Sequence, residues 1–266
     1  MIAEPFSSLI VIILLTASTA LGFMLRKWLP EEHLSEQSMH AIRLVTGLLV
    51  TFVALVLSFE LSTVKGTFDT AYRDRAQDAA QLARVDQCLR NFGSEGDEAR
   101  KNIRAYTAAV IASTWPNEEK PEGVEYPDTS TMAQRGENPT LGGLLNQVGL
   151  EIKALSPSDK FHENIAAECR SDFAELLTMR WTVIEDAQGA GSSPPLSNIV
   201  KLWLMLVFLS FGLQAPRKLL AVIVLAIGVL SISSVMFVIV DLNLPYGGLF
   251  SISSSSMRDA LADMKR

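Results

Sequence analysis

The sequence predicts an all-α membrane protein in which four transmembrane helices form two hairpins and an extramembrane helical domain is inserted between the hairpins. The first observation is an uneven distribution of charge, because Lys, Arg, Asp and Glu are almost absent from residues 6–25, 44–59, 202–214 and 219–240. The second is that charged residues crowd into residues 65–186, where apolar residues recur at the spacing of amphipathic helices. A soluble core would not separate polar and apolar sequence so sharply.

The division of the chain follows these segments. We predict a first transmembrane hairpin at residues 1–64, an extramembrane helical domain at 65–195, a second transmembrane hairpin at 196–240 and a C-terminal tail with a short helix at 241–266. Because each hairpin crosses the bilayer twice, both termini and the inserted domain are expected on the same side of the cell membrane.

The first span is the apolar run 6–25, which is closed by Arg26 and Lys27. A helix of about 20 residues crosses about 30 Å of hydrocarbon, so this run is long enough to span the bilayer. A cleaved signal peptide is the alternative, since residues 17–20 resemble a cleavage site. The leader carries Glu4 and no basic residue, which favours a retained span.

The other three spans are shorter or interrupted near their ends. Arg43 and Glu60 bound the second span, and Lys201 lies near the start of the third. Long basic side chains at a membrane rim can extend to water, so the effective span exceeds the uncharged stretch. Only residues 214–218 separate the third span from the fourth, and such a short connection makes these two helices antiparallel neighbours.

Basic residues in short loops favour the cytoplasmic side of a membrane. The basic residues at the two hairpin tips are Arg26, Lys27, Arg43, Arg217 and Lys218. They favour cytoplasmic tips and an external domain. Lys65, Arg73 and Arg75 follow the second span on the opposite side, and these basic residues favour the reverse orientation.

The inserted domain is predicted to contain only helices, because no alternating strand pattern of useful length is present. A first amphipathic helix continues from the second span and ends near Gly93. Asn138 and Pro139 resemble an N-cap followed by a proline in the first turn, which predicts a helix start. Trp115 and Pro116 end the helix that precedes the acidic, Pro-rich loop at 117–137.

Several classes of function are disfavoured by the sequence. A net charge of −6 provides no basic face for nucleic acid. No phosphate-binding loop, nucleophile elbow or dinucleotide loop is present, so we expect neither an enzyme nor a cofactor. Cys88 and Cys169 are too few for a zinc site, and each lies on the apolar stripe of a predicted helix. Burial as a small hydrophobic side chain is favoured over a disulfide, which would require an oxidising compartment.

Polar residues within the spans have two interpretations. Small and hydroxylic residues such as Ser18 and Gly22 recur at helical spacing, and close helix packing explains them better than a polar pathway. Glu60 is the one carboxylate at the edge of an apolar span. Ionisable groups in membranes are often functional, but a solvated helix end is an equal alternative for Glu60.

The tail following the fourth span predicts a turn and then a short helix. Met257, Leu261 and Met264 lie on one face of that helix. A tail packed against the domain is favoured over a gate or a docking segment for a partner.

Stretches distributed over nearly the whole chain carry a resemblance to a known family. They comprise residues 73–83, Leu89, Arg90, Gly93, Tyr106, Trp115, Pro116, Arg180, Trp181, Leu202, Trp203, 211–213, Ala215, Pro216, Asp241, Pro245, Gly248, Ser251 and 257–261. With these residues the chain resembles the bestrophin-like family of bacterial membrane proteins. True bestrophins are pentameric anion channels with four spans per subunit and a helical cytosolic domain. The resemblance therefore implies a similar layout, a homo-oligomer and a cytosolic domain, against the count of basic residues.

The pore neck of true bestrophins is lined by hydrophobic residues of the second span. Phe52, Val56 and Phe59 could occupy such a line by helical spacing, and Glu60 follows them at the membrane edge. No motif permits a residue-by-residue transfer, so these four residues are candidate pore-lining positions only.

Two functions remain open from the sequence. The first is an oligomeric, channel-like protein in the lipid bilayer, in which the second spans surround a narrow apolar path for ions. The second is a membrane-anchored interaction or sensing protein without transport activity, in which the spans serve only as anchors. The small residues in the spans suit an oligomer and a simple four-helix bundle equally.

Overall fold

A computed structural model describes residues 3–30, 35–130, 132, 136–187, 194–216 and 218–266. The described residues form helices and connecting segments without any β-strand, which confirms the predicted all-α fold class. Arg217, one of the basic residues at the hairpin tips, lies outside the described residues.

Eight α-helices follow one another in the part of the chain that the structure describes. They are α1 (Ala3–Trp28), α2 (Glu36–Phe92), α3 (Asp97–Thr114), α4 (Pro139–Ala154), α5 (Lys160–Ala187), α6 (Pro194–Gln214), α7 (Leu219–Leu242) and α8 (Ser255–Met264). Four of them, α1, α2, α6 and α7, are long and apolar enough to cross a membrane. The protein is therefore a multi-pass membrane protein of the predicted kind.

The chain divides into two compact units. The membrane unit comprises Met1–Phe68 and Ala190–Phe250, and the helical unit comprises Asp69–Gly189 and Ser251–Arg266. Helix α2 contributes to both units, because it continues from the second span into the first helix of the helical unit.

Helix α2 is a single helix of 57 residues. At a rise of about 1.5 Å per residue it is about 86 Å long. This length confirms the prediction of one long helix that emerges from the second span. The helix ends at Phe92 because Gly93 has a φ of 105°, a backbone conformation that residues with a side chain rarely adopt.

Helices α1 and α6 approach each other closely in the membrane unit. A Cβ atom added at Gly22 would overlap the carbonyl oxygen of Leu209, and one added at Gly212 would overlap that of Thr19. Only glycine permits such contact between two helix backbones. The stripe of small residues in the first span thus serves helix packing at Gly22, as the sequence predicts.

Hydrogen bonds to backbone carbonyls extend the contact between α1 and α6 on both sides of the glycines. The Ser18 hydroxyl donates to the carbonyl of Met205 at 2.5 Å. One turn beyond Gly22, the Arg26 guanidinium donates to the carbonyls of Gln214 and Ala215 at 3.0 and 2.5 Å. Residue numbers increase together along both helices, so α1 and α6 are parallel and their C-terminal ends meet.

Replacing Gly212 with alanine is expected to destabilise the membrane unit. The new methyl group would force α1 and α6 apart, and overpacking of this kind costs about 1–3 kcal/mol. Thermal unfolding of the purified protein in detergent measures the loss. Gly47→Ala is the matched control, because a Cβ at Gly47 meets nothing within 4 Å. Equal melting temperatures for the two variants would contradict close packing at Gly212.

The core of the membrane unit is apolar. Val53 and Leu57 of α2 belong to the same buried cluster as Leu204 and Phe208 of α6 and Met236 of α7. Burial of each such side chain contributes about 1.5–3 kcal/mol when the reference is water, but less when the alternative is lipid.

Helix α4 of the helical unit begins with a local capping signal. The Asn138 side chain accepts hydrogen bonds from the backbone N–H groups of Thr140 and Leu141 at 2.9 and 3.4 Å. Pro139 occupies the first helical position, which needs no N–H donor. The predicted start of α4 is therefore confirmed.

The C-terminal tail is packed against the helical unit. Met257, Leu261 and Met264 of α8 are buried, and α8 contacts α3. The Trp115 indole donates to the carbonyl of Ile252 at 2.6 Å, which fixes the segment before α8. The interpretation as a packed tail is confirmed.

The turn after α7 is organised by a buried carboxylate in the membrane unit. Asp241 accepts hydrogen bonds from the backbone N–H groups of Leu249 and Phe250, both at 2.8 Å. A Cβ at Gly248 would lie 2.5 Å from the Asp241 carboxylate. Asp241 and Gly248, which the family resemblance singles out separately, thus form one structural unit.

Candidate functional site

The candidate pore-lining residues of α2 do not share one environment within a single chain. Phe52 and Phe59 expose 51% and 68% of their surface, and Val56 is half-buried. Glu60, in contrast, is only 4% exposed. Phe52 and Phe59 are therefore available to lipid or to another molecule, whereas Val56 packs partly against the core and Glu60 faces the interior of its own unit.

Glu60 is a buried carboxylate at the end of the second span. Neither of its carboxylate oxygens has a hydrogen-bond partner among the described residues. Lys201 of α6 is the positive charge that interacts with it electrostatically. The alternative prediction, a solvated helix end, is wrong because the side chain lies inside the helix bundle. An ionised carboxylate there depends on Lys201, since burial without a counter-charge is costly.

An apolar groove of about 410 Å³ lies between α2, α6 and α7 in the membrane unit. Apolar side chains and Gly228 line it, among them Val50, Leu57, Phe208 and Phe211. Such a surface offers no ligand to an ion, so this groove is not itself a polar pathway.

The helical unit contains a buried polar cluster formed by Arg75, Asp78, Tyr106 and Arg180, which we call the Arg75 cluster. The Arg75 guanidinium donates to the Asp78 carboxylate at 3.4 Å. Arg180 donates to Glu137 at 3.3 Å and also hydrogen-bonds Tyr106. All four members of the cluster are at least nine-tenths buried. Helices α2, α3 and α5 each contribute to it, so the cluster joins three elements of the unit.

Aromatic rings cover both arginines of the Arg75 cluster. The Arg75 guanidinium carbon lies 5.6 Å from the Trp115 ring centre, and that of Arg180 lies 5.4 Å from the Trp181 ring centre. Arginine above an aromatic face is favourable and requires little hydration. Burial, and secondarily the nearby Asp78, raises the pKa of Tyr106 to about 12, so its hydroxyl stays protonated at neutral pH.

A small cavity of about 60 Å³ adjoins the cluster. Ser113, Thr114 and Asn138 line it together with members of the cluster. One oxygen of Asp78 is buried without a hydrogen-bond partner among the described residues. The cavity is polar and large enough for a few water molecules, which would satisfy that oxygen.

The sequence did not indicate the Arg75 cluster as a site. Its members were part of the family resemblance, but as separate stretches of sequence. Helical periodicity shows which face of a helix is apolar, and it does not show which polar side chains of different helices meet.

A pair of carboxyl groups lies beside the Arg75 cluster. Asp74 of α2 and Asp186 of α5 form a hydrogen bond, and Arg75 interacts with Asp186 electrostatically. Burial, followed by the charge and hydrogen bond of Asp74, raises the pKa of Asp186 from the ordinary value of 3.8 to about 6. The folded unit thus retains a proton on this pair at a pH where the unfolded chain has released it.

The Asp186 pair should make the helical unit more stable in mild acid. The pKa of Asp186 is about 6 in the folded unit and 3.8 in the unfolded chain, so the folded unit binds this proton more tightly. The proton therefore contributes its full stabilisation below about pH 4, and this contribution is lost as the pH rises through 6. We expect Asp186→Asn to remove this dependence, so that its melting temperature changes less than that of wild type between about pH 4 and 7. The exposed Glu175→Gln is the control. Parallel pH profiles for wild type and Asp186→Asn would contradict the assignment.

Asp86 is the centre of a second ionic cluster. Arg90 lies 3.0 Å from its carboxylate, Arg100 lies 3.1 Å away and Arg104 lies 3.7 Å away. Asp86 is fully buried. Its pair with Arg90 lies between neighbouring turns of α2, whereas Arg100 and Arg104 come from α3. The Asp86 carboxylate therefore joins α2 to α3.

The two cysteines are bonded to each other. The Sγ atoms of Cys88 and Cys169 are 2.01 Å apart, and their Cα atoms are 5.5 Å apart. The sequence favoured two separate buried thiols. That interpretation is wrong, because α2 and α5 bring the two apolar stripes into contact at this level.

The described residues contain no group of three or more His, Cys, Asp or Glu side chains arranged to hold a metal ion.

Comparison with known proteins relates this arrangement to one family. A family model for the Bestrophin-like domain matches residues 12–257. A crystal structure of a variant of a bacterial bestrophin homologue from Klebsiella pneumoniae is 12% identical, with a TM-score of 0.65 over 99% of this chain and 97% of that chain. A second variant of a Klebsiella pneumoniae bestrophin homologue is 13% identical, with a TM-score of 0.62 over 96% and 97%. A membrane-protein variant is 12% identical, with a TM-score of 0.61 over 97% and 96%.

No protein of curated function matches the chain. At identities of 12% and 13%, the crystal structures show a shared fold and nothing further about activity. The family match shows more than the fold, because one family model covers residues 12–257, which include all four spans and the helical unit. The family that the sequence resembles is thereby confirmed, and the chain belongs to the Bestrophin-like family.

Proposed function

We propose that this protein is an oligomeric membrane channel that conducts small anions. The observation that carries the proposal is the match of the Bestrophin-like family along the chain, together with a fold shared with bestrophin homologues over nearly its full length. A channel requires no catalytic residue or cofactor, and we assign none to this chain.

The exposed apolar row of α2 supports an oligomer. Phe52, Val56 and Phe59 lie on one side of the helix, with the two phenylalanines largely exposed in the single chain. In an assembly around a symmetry axis, these side chains of several copies would form a narrow apolar constriction. Hydrophobic constrictions control ion flow by excluding water.

Glu60 has a supporting role in this proposal. Its carboxylate faces Lys201 inside the chain, so it would set the electrostatic potential near the end of the constriction without lining it directly. Both termini and the helical unit would lie on one side of the cell membrane, since each hairpin returns the chain to its starting side.

Ion flux into liposomes tests the proposal directly. Purified protein of known subunit stoichiometry, measured by native mass spectrometry, should conduct chloride above the level of empty vesicles. Phe59→Ala should raise the flux severalfold, because a methyl group leaves a wider and more hydrated constriction than a phenyl ring. Leu230→Ala is the matched control on α7, where an apolar side chain 60% exposed in the single chain is expected to face lipid.

A confirmed oligomer without chloride flux would contradict the proposal. A monomer or closed dimer that recovers a stoichiometric partner by cross-linking would favour the membrane-anchored interaction or sensing protein instead.

A further inference from the structure

The disulfide of the helical unit has a consequence for its place in the cell. We propose that the helical unit lies in an oxidising compartment outside the cytoplasm, where Cys88 and Cys169 are the substrate of a thiol oxidant that donates disulfides. This inference does not rest on channel activity. It assigns the helical unit to the side opposite to the cytosolic domain of true bestrophins.

The two cysteines are positioned for this bond by the fold itself. Cys88 lies in the last turns of α2 and Cys169 lies in the middle of α5, and both are buried. Their Cα separation of 5.5 Å is that of an ordinary disulfide, so the bond requires no displacement of either helix. The bond joins segments that are 81 residues apart in the sequence.

Formation of the bond is a two-electron oxidation. The Cys88 and Cys169 thiols lose two protons and two electrons, an S–S bond forms between them, and the disulfide of the donor protein is reduced to two thiols. Cytoplasmic thiol–disulfide systems keep such pairs reduced, whereas extracytoplasmic compartments oxidise them. A reversible switch is a poor alternative, because both sulfur atoms belong to buried residues and a reductant needs access to one of them.

The charges of the membrane unit support the same side independently. Arg26 at the end of α1 donates to the carbonyls of Gln214 and Ala215 at the end of α6, so the two hairpin tips lie at the same end of the unit. Lys27 and Lys218 add basic charge at these tips. The rule counts basic residues in short loops and within about 15–20 residues of a span end, whereas charge further inside a long inserted domain contributes little.

Three basic residues follow the second span, and they are fewer than the five at the two hairpin tips. Arg75 in particular is buried in an ion pair with Asp78. The tips are assigned to the cytoplasm, and the insert that contains Cys88 and Cys169 is assigned to the other side. The disulfide and the loop charges indicate the same side of the membrane for the helical unit. They are independent, because the first reflects the redox conditions of a compartment and the second reflects the insertion of the spans.

The redox state of the cysteines is the first test. Cells are quenched in acid, and the denatured protein is alkylated before and after reduction and then weighed by mass spectrometry. We expect no alkylated cysteine before reduction and two per chain after it. Two alkylated cysteines before reduction would overturn the inference, and Cys88→Ser supplies the reference for a single free thiol.

The side of the membrane is the second test, and it uses added cysteines in the otherwise native chain. Ser158→Cys places a thiol in an exposed position of the helical unit, and Gln37→Cys places one near the first hairpin tip. In spheroplasts, a membrane-impermeant maleimide should label Ser158→Cys at least about tenfold more than Gln37→Cys, and lysis should equalise the two. The reverse order would overturn the inference.

These tests are separable from the channel proposal. Labelling and alkylation do not require conductance, so a protein without flux can still show an external helical unit. A conducting protein with reduced cysteines and a labelled hairpin tip would retain the channel and lose this inference.

Discussion

Replacing Asp86 with alanine is expected to lower the free energy of unfolding of the helical unit by about 3–5 kcal/mol, the cost of removing one partner from a buried ion pair. Asp86 is fully buried, and its carboxylate balances Arg90, Arg100 and Arg104. Without it, three guanidinium groups would repel one another in a partly desolvated space. The side-chain Nε atoms of Arg90 and Arg104 are already buried without hydrogen-bond partners in the described structure. Loss of the Asp86 carboxylate would therefore increase the cost of burying these two side chains.

Thermal and denaturant unfolding in detergent, followed by circular dichroism, measures this loss. Asp97→Ala is the matched control. Asp97 pairs with Arg100 at 3.7 Å but its side chain is 67% exposed, and loss of such a surface pair costs less than about 1 kcal/mol. If Asp86→Ala were no less stable than Asp97→Ala, the Asp86 cluster would not hold the helical unit together.

Removal of the disulfide is expected to cost about 2–4 kcal/mol in the free energy of unfolding, because the bond restricts the unfolded chain. The bond closes a long loop, since Cys88 and Cys169 are 81 residues apart. The bond also joins α2 to α5, which are connected by a hydrogen bond from the Gln81 side chain to the backbone carbonyl of Asp172 at 2.8 Å. The helical unit therefore loses a covalent connection between two of its main helices.

A double-mutant cycle identifies the bond as the cause. Cys88→Ala, Cys169→Ala and the double variant should be destabilised by nearly the same amount, since either single change already removes the bond. Two separate buried thiols would instead give two smaller losses that add in the double variant. Additive losses would contradict the disulfide, and chemical reduction of the wild type should reproduce the stability of the double variant.

The membrane layout could be predicted from the sequence because it depends on local chemistry. Long runs without charge define the four spans, and the short connection at 214–218 defines the second hairpin. The long α2 and the capped start of α4 at Asn138 follow from periodicity and capping residues. Each of these features is decided by residues that are close together along the chain.

The polar sites could not be predicted because they depend on contacts between distant segments. Arg75 and Arg180 belong to α2 and α5, and their approach to Tyr106 requires the packing of three helices. Glu60 illustrates the same limit. A position at the end of a span allows a solvated or a buried side chain, and only packing against the helix that carries Lys201 distinguishes them.

The disulfide between Cys88 and Cys169 could not be predicted from the sequence for a related reason. Both residues were correctly placed on apolar helix faces, but the axial register of α2 against α5 decides whether the sulfur atoms meet. A shift of one helical turn, about 5.4 Å, would separate them beyond bonding distance. Hydrophobic patterns tolerate such a shift, so the pattern alone does not fix the register.

The glycine contact between α1 and α6 determines which parts of the membrane unit can move. Gly22 and Gly212 bring the two backbones together without an intervening layer of side chains, and Arg26 fastens the same pair at its end. Sliding or rotation of one helix against the other would drive the two backbones together. Helices α1 and α6 therefore behave as one rigid pair that links the two hairpins. The free volume of the membrane unit lies elsewhere, in the apolar groove between α2, α6 and α7.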